Sequence, residues 1–226
     1  MREIAAIRKK RAVEILDALN CAMPDAKIEL DYQTPLELLV AVILSAQCTD
    51  KRVNKVTPTL FNRYPDAQSY ATSSSEELEG LIRSCGFFRA KAKNIQGAAR
   101  TLVQLHGGAI PIGRIELAEL AGVGQKTAGV VSIHLGGAPA FPVDTHVGRL
   151  ARRMGLTRHT DPDKVERDLQ ALFPPYRWAH GHQLFIWHGR RTCMARSPAC
   201  ERCPVEARCP KVGVKASTKK RPRARP

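Results

Sequence analysis

The stretch that decides the fold is Leu120-Ala121-Gly122-Val123-Gly124-Gln125-Lys126-Thr127-Ala128. Two glycines, one residue apart, separate segments of helical periodicity and predict a tight turn that opens into a helix. Free backbone N–H groups and the helix dipole favour an anion there, and glycine lets a phosphate approach without a Cβ in the way. The pattern indicates a helix-hairpin-helix that binds the DNA backbone through Gly122 and Gly124 without reading sequence. The same pattern also fits an ordinary connection between two helices, in which the glycines serve only packing.

Helical periodicity continues on both sides of this hairpin. A segment at 3–20 has one apolar face, and Leu36–Gln47 is apolar all round, as in a helix central to a core. Asp50 and Ser74 are predicted to cap the next two helices. Further helices are predicted at Lys91–His106, 116–121, 124–136, 144–154, 163–172 and 177–191. No segment alternates with period two, so the predicted fold class is all-α.

Charge dominates the composition of the 226-residue chain. It has 36 Lys and Arg against 21 Asp and Glu, a formal net charge of +15, and 43% hydrophobic residues, which is typical of a globular protein. The longest apolar run, Leu38–Leu44, is too short to cross a bilayer, and no apolar segment follows the charged N-terminus as in a signal peptide. These features predict a soluble cytoplasmic protein with no membrane association and a polyanionic partner, foremost nucleic acid. The basic segment 213–226 is predicted to be a disordered tail.

Four cysteines crowd the C-terminal region at Cys193, Cys200, Cys203 and Cys209. Disulfides are not expected in a cytoplasmic protein, and four thiolates within this short segment can enclose one metal centre. Zinc sites usually have two close pairs separated by a long loop, which is not the spacing here, but ligand type alone leaves zinc and iron–sulfur both open. Three other cysteines are predicted to be core residues: Cys21, Cys48 and Cys85. Three histidines lack the spacing of a metal motif and are interpreted as core or capping residues: His180, His182 and His188.

A further candidate is Asp144, within Phe141-Pro142-Val143-Asp144-Thr145-His146. The residue opens a predicted helix, and an Asp in that position is more often an N-cap than a catalyst.

Taken together and in this order, the hairpin with Lys126, the Val143–His146 segment and the cysteine spacing resemble endonuclease III, a family of iron–sulfur DNA glycosylases. Ser45–Asp50 and His188-Gly189-Arg190 add to the resemblance, which covers about residues 1–210. It implies the helix-hairpin-helix DNA glycosylase fold, with a six-helix barrel domain at 28–138. A 4Fe–4S cluster domain is then built from 1–27 with 139–212, and the four cysteines hold the cluster.

The resemblance also implies a function in base excision repair. The family removes oxidised pyrimidines from duplex DNA and cuts the strand 3′ to the abasic sugar. Lys126 matches the nucleophile, whose amine forms a Schiff base that permits β-elimination; a hydroxyl or carboxylate could not form that imine. Asp144 matches the carboxylate that accepts a proton or stabilises positive charge on the sugar.

DNA contacts are carried over in the same way. Gln47 matches the residue that fills the gap left by the extruded nucleotide, and Phe87, where the family commonly has Leu, lies in the matching wedge loop. The cluster is expected to hold the loop with Arg202 and Arg208 against phosphates. Lys91, His146 and Arg149 complete the predicted contacts. The expected partner is double-stranded DNA with damaged pyrimidines or abasic sites, bound by a monomer at the bacterial nucleoid.

Two other interpretations compete with this one. The related adenine glycosylases lack the Schiff-base lysine and carry a catalytic Glu four residues before Gln47, where this chain has Ile43, which argues against them. A non-catalytic DNA- or RNA-binding module with structural zinc would make Lys126 a phosphate contact and Asp144 only a cap.

Overall fold

The computed structural model describes residues 3–214, and within this range every regular element is helical, with no strand. The all-α prediction is confirmed. Most of the predicted tail, from residue 215 onward, lies outside the described residues. Within the described part of the chain, no helix combines the length and apolar character needed to cross a membrane.

The chain divides into two compact units, one of which is Ile28–Ala140. The break before Ile28 coincides with the predicted one, and the other break lies two residues beyond the predicted boundary after 138. This unit contains α2 (Pro35–Ser45), α3 (Asp50–Arg63), α4 (Ala67–Ala71), α5 (Ser75–Ile82), α6 (Phe88–His106), α7 (Arg114–Ala118) and α8 (Gln125–His134).

Helix α2 is the centre of this unit, as its apolar sequence predicts. Thr34 caps the helix by accepting from the Glu37 amide, and Pro35 occupies the first turn, where its missing N–H costs nothing. Every residue from Leu38 to Leu44 is buried. A helix buried on all faces must be covered by neighbours, and α3, α6 and α8 pack against it.

The second unit combines residues up to Lys27 with those from Phe141 onward. It contains α1 (Ala5–Ala22), α9 (Thr145–Arg153), α10 (Pro162–Leu172) and α11 (Trp178–Arg191), followed by two single 3-10 turns in the cysteine segment. The core is aromatic at its centre, where Phe141 packs on Phe173 and Phe185. Helix α1 belongs here because Arg11 donates to the Met154 carbonyl at 2.7 Å and Glu14 pairs with Arg208 at 3.1 Å.

Two local expectations differ from the structure. Helix α3 is capped by Thr49, which accepts from the Arg52 amide, so the prediction that Asp50 caps it is wrong by one residue. The five-residue helix α4 was not predicted, because it is too short for a periodic pattern; its signal is the Asp66–Ser69 capping box. Ser74 does cap α5, as predicted, by accepting from the Glu77 amide.

Candidate active site and metal centre

The hairpin between α7 and α8 is built by glycines with two different tasks. Gly122 has a φ of +75°, and a Cβ there would lie 2.6 Å from the Asn94 side chain, so both backbone and space require glycine. Gly124 is the N-cap of α8, has an ordinary φ, and a Cβ there would have nothing within 4 Å. No side chain caps α8, so its first amides remain open for an anion.

These two glycines allow a matched test. Gly122→Ala should lower the free energy of unfolding by about 2–5 kcal/mol, because alanine would have to adopt a left-handed conformation and its Cβ would clash with Asn94. Gly124→Ala should cost at most about 1 kcal/mol of stability, yet weaken duplex DNA binding about tenfold by shielding the α8 amides. Thermal melting and fluorescence anisotropy measure the two effects; equal losses of stability would contradict the assignment.

Lys126 is the second residue of α8 and is exposed. The side chain therefore starts in the turn whose amides are open, beside the bare surface of Gly124. An exposed amine in this position lies next to the open amides, where an anion would bind.

Asp144 is the N-cap of α9, as its position at the start of a predicted helix indicates. Its Oδ1 accepts from the Val147 amide at 2.7 Å, and the flanking Val143 and Val147 are buried. Among the contacts of the described residues, the second carboxylate oxygen accepts no hydrogen bond. The cap thus fixes the carboxylate with one oxygen and leaves the other for chemistry, so the two interpretations of this residue are compatible.

All four predicted cysteine ligands line one cavity, together with Arg153, His188 and Val205. None of the seven cysteines forms a disulfide. A zinc ion would bind four sulfurs at about 2.3 Å, whereas a 4Fe–4S cluster would bind each thiolate through a different iron. The donor set and the cavity fit a 4Fe–4S cluster.

Two arginines of α9 hold the beginning of this cysteine segment. Arg149 donates to the Cys193 carbonyl at 3.1 Å and to the Gly189 carbonyl at 2.9 Å. Arg153, one turn later, donates to the carbonyls of Met194 and Ala195, each at 2.7 Å, and to Cys193 Sγ at 3.4 Å. Burial lowers the pKa of Arg149. Its guanidinium is occupied by hydrogen bonds to these main-chain carbonyls, which is at odds with the predicted DNA contact.

Loss of the Arg153 contacts should loosen the cluster. Arg153→Met removes the hydrogen bonds that Nη1 and Nη2 donate to the segment that carries Cys193, so we expect the absorbance near 400 nm to decay several times faster under an iron chelator. Arg152→Met is the matched control, since it removes the same charge from the same turn of α9. Equal decay rates in the two variants would show that Arg153 does not support the cluster.

The remaining predicted contacts of this unit differ in exposure. Arg202 and Arg208 are exposed in the cysteine segment, although Arg208 also pairs with Glu14. His146 is half-buried, its Nδ1 lies 3.1 Å from Arg149 Nη2, and burial lowers its pKa. His188 is buried with Nε2 3.5 Å from Cys203 Sγ, and burial lowers its pKa to about 4. Arg153 and His188 were not predicted to support the ligands; the regular spacing of Arg149 and Arg153 along α9 was the available signal.

In the Ile28–Ala140 unit, Gln47 and Phe87 are both exposed, as gap-filling residues must be. Lys91 is not: it is 4% exposed, and its ammonium donates to the carbonyls of Leu44 and Cys85. The predicted DNA contact of Lys91 is contradicted by this burial.

Comparisons with known proteins agree with this geometry. A family model described as HhH-GPD superfamily base excision DNA repair protein matches residues 40–175, and one for the iron–sulfur binding domain of endonuclease III matches 193–209. Endonuclease III of Synechocystis sp. is 53% identical over 211 residues, covering 93% of this chain and 96% of that protein. Endonuclease III of Escherichia coli K12 is 38% identical over 206 residues, covering 90% and 96%.

Solved structures of endonuclease III share the fold of this chain. A trapped endonuclease III–DNA covalent intermediate superposes with a TM-score of 0.86 at 44% identity, covering 90% of this chain and 96% of that chain. A non-covalent endonuclease III–DNA complex gives the same TM-score and identity. The second family model settles the choice between zinc and iron–sulfur in favour of the 4Fe–4S cluster. This chain belongs to the endonuclease III family of base excision DNA repair proteins.

Proposed function

We propose that this base excision repair DNA glycosylase and AP lyase removes oxidised pyrimidines from double-stranded DNA, with Lys126 as nucleophile and Asp144 as its carboxylate partner. The observation that carries the proposal is the exposed Lys126 amine in the uncapped first turn of α8. A lysine with only a structural role would gain nothing from a position beside open amides that attract a phosphate.

The chemistry follows from what an amine can do. The neutral Lys126 amine bonds to C1′ of the damaged nucleotide as the N-glycosidic bond breaks, and the base leaves with the bonding electrons and a proton. Opening of the sugar ring at C1′–O4′, in which O4′ keeps the bonding electrons and takes a proton from water or from Asp144, converts the adduct into a protonated imine. The imine acidifies the C2′ proton; loss of that proton expels the 3′ phosphate, and water releases the unsaturated sugar from the lysine.

Asp144 is proposed to supply the charge that this sequence of steps needs. Its uncommitted oxygen can accept the proton that Lys126 loses, or stabilise the positive charge that develops on the sugar as the base departs. Because the other oxygen is tied to the Val147 amide, the carboxylate is held without loss of side-chain entropy during the reaction.

Extrusion of the damaged nucleotide leaves a gap in the duplex, which costs a few kcal/mol of stacking. We assign its filling to Gln47 and Phe87, whose side chains are exposed on loops with left-handed backbone. Phe87 is 66% exposed, an unusual position for a phenyl ring, and this favours the wedge role over a core role. Gly122, Gly124 and the exposed Arg202 are assigned to the phosphates.

With a 4Fe–4S cluster bound, the segment 193–209 would be held together as one unit. The four cysteines would hold it, Arg153 would brace Cys193, and the exposed Arg202 and Arg208 would then be presented to DNA from a fixed frame. The net charge of +15 supports action as a monomer on DNA, in the bacterial cytoplasm at the nucleoid.

The decisive experiment is borohydride trapping on a duplex with one thymine glycol. A covalent protein–DNA band is expected, since reduction of the imine fixes the amine to the sugar. A band on a pre-formed abasic site alone would leave the lyase standing and remove oxidised pyrimidines as substrates. Absence of a band on either duplex would overturn the Schiff-base mechanism.

A further inference from the structure

The buried Lys91 joins the end of α2 to the 3-10 turn Arg83–Cys85 through its ammonium. Nζ donates to the Leu44 carbonyl at 2.8 Å and to the Cys85 carbonyl at 2.9 Å, with residue separations of 47 and 6 along the chain. Leu44 lies in the last turn of α2, where the helix leaves carbonyls unpaired and favours a cation. Both bonds lie within the Ile28–Ala140 unit.

Each of these carbonyls lies one to three residues before a residue with positive φ. Gln47, three residues after Leu44, has a φ of +52°. Gly86 and Phe87, which follow Cys85, have φ values of +70° and +46°. Gln47 and Phe87 are two of the three non-glycine residues with positive φ in the described chain. Such conformations persist only where neighbouring contacts enforce them.

The side chains of these residues cannot provide that enforcement. Gln47 and Phe87 are exposed, so neither loop is anchored by burying its central side chain. The restraint must come from the backbone. Cys48 donates to the Ser45 carbonyl and Gly86 to the Arg83 carbonyl, and among the described residues Lys91 alone bonds at once to the residues that lead into both loops.

A charged side chain is a costly choice for this position. Lys91 lies on α6 between buried apolar neighbours such as Ala92 and Ile95, where a methionine of similar length would fill the same space. Burial lowers the pKa of the ammonium. Lysine differs from methionine by two directed hydrogen bonds, to two carbonyls that are far apart in the sequence.

We propose that Lys91 is a positioning residue that fixes the Gln47 loop relative to the Phe87 loop, so that both side chains enter the duplex together when a nucleotide is extruded. This inference rests on the gap-filling roles proposed above for Gln47 and Phe87. In this proposal Lys91 affects nucleotide extrusion and does not contact a phosphate. The two roles predict different results in the experiment below.

The test compares substrates that do and do not require extrusion. Strand cleavage at an abasic site is measured in single turnover, at saturating enzyme, in duplex and in single-stranded DNA. Lys91→Met should lower the duplex rate on the order of 10²-fold, the effect of a displacement of about 1 Å, and leave the single-strand rate unchanged. Lys93→Met is the matched control, because it removes the same charge from an exposed position on α6. Equal losses on both substrates would overturn the proposal.

A second arm asks whether Lys91 acts through the loops. In a Gln47→Ala/Phe87→Ala background, Lys91→Met should reduce the duplex rate no further, since nothing remains to be positioned. Additive losses would show that Lys91 supports only the fold. If the double variant alone leaves the duplex-to-single-strand ratio unchanged, the gap-filling proposal itself fails, and this result is distinct from a failure of Lys91→Met in the wild-type background. Thermal melting accompanies each variant, and Lys91→Gln, which retains a donor, replaces Lys91→Met if that variant does not fold.

Discussion

Lys126→Ala is expected to lose strand cleavage by about 10⁴-fold or more, the scale on which removal of a nucleophile is felt, while the protein keeps its fold. Lys126 is exposed and contributes no side chain to a hydrophobic core, so its truncation should change the free energy of unfolding by about 0.5 kcal/mol or less. Alanine is also a good helix former in the first turn of α8. Single-turnover cleavage of an abasic duplex, borohydride trapping and thermal melting measure the three parts of this expectation.

Lys126→Arg separates the nucleophile from a phosphate contact. Arginine keeps the positive charge at the open amides of α8, and it binds phosphate at least as well as lysine. Its guanidinium stays protonated at any accessible pH and cannot form an imine with the sugar. The Arg variant should therefore bind DNA and give no trapped complex. Strand cleavage retained in Lys126→Arg would make Lys126 a phosphate contact and remove it from the chemistry.

The parts of the site that sequence could predict are those formed by short segments. The Gly-x-Gly spacing predicts both the turn and the position of Lys126 in the first turn of α8, because these follow from local backbone rules. Asp144 is placed at the start of α9 for the same reason. The spacing of the cysteines likewise predicts that they share one cavity.

The parts that sequence could not predict depend on main-chain carbonyls far along the chain. Arg149 and Lys91 were both predicted to contact DNA from the resemblance to the family. Arg149 instead donates to the Cys193 carbonyl, 44 residues away in the sequence, and Lys91 donates to the Leu44 carbonyl, 47 residues away. Every residue carries a carbonyl, so no residue type marks which one will be left unpaired in the fold and will attract a buried cation. Only the three-dimensional structure distinguishes a basic residue that faces solvent from one that braces a loop.

Asp144→Asn is expected to slow base excision by about 10²–10⁴-fold with little change in stability. The structure explains why the two effects separate. Asn keeps an oxygen that can accept from the Val147 amide, and Asn and Asp are equally good N-caps, so α9 should still begin at Thr145. What Asn lacks is the negative charge and the ability to take a proton, which are the properties that the proposed mechanism uses.

Asp144→Ala provides the comparison that tells a cap from a catalyst. It removes both the charge and the hydrogen bond to Val147, and should therefore cost about 1 kcal/mol of stability in addition to the loss of activity. If Asp144 acts in chemistry, the Asn and Ala variants will be impaired in base excision to a similar extent, although only Ala melts earlier. If it is only a cap, activity will follow stability, so that Asn excises thymine glycol at the wild-type rate and only Ala is slower. Single-turnover base release and thermal melting of the three proteins distinguish these results, because the cap needs an acceptor oxygen whereas the reaction needs a charge.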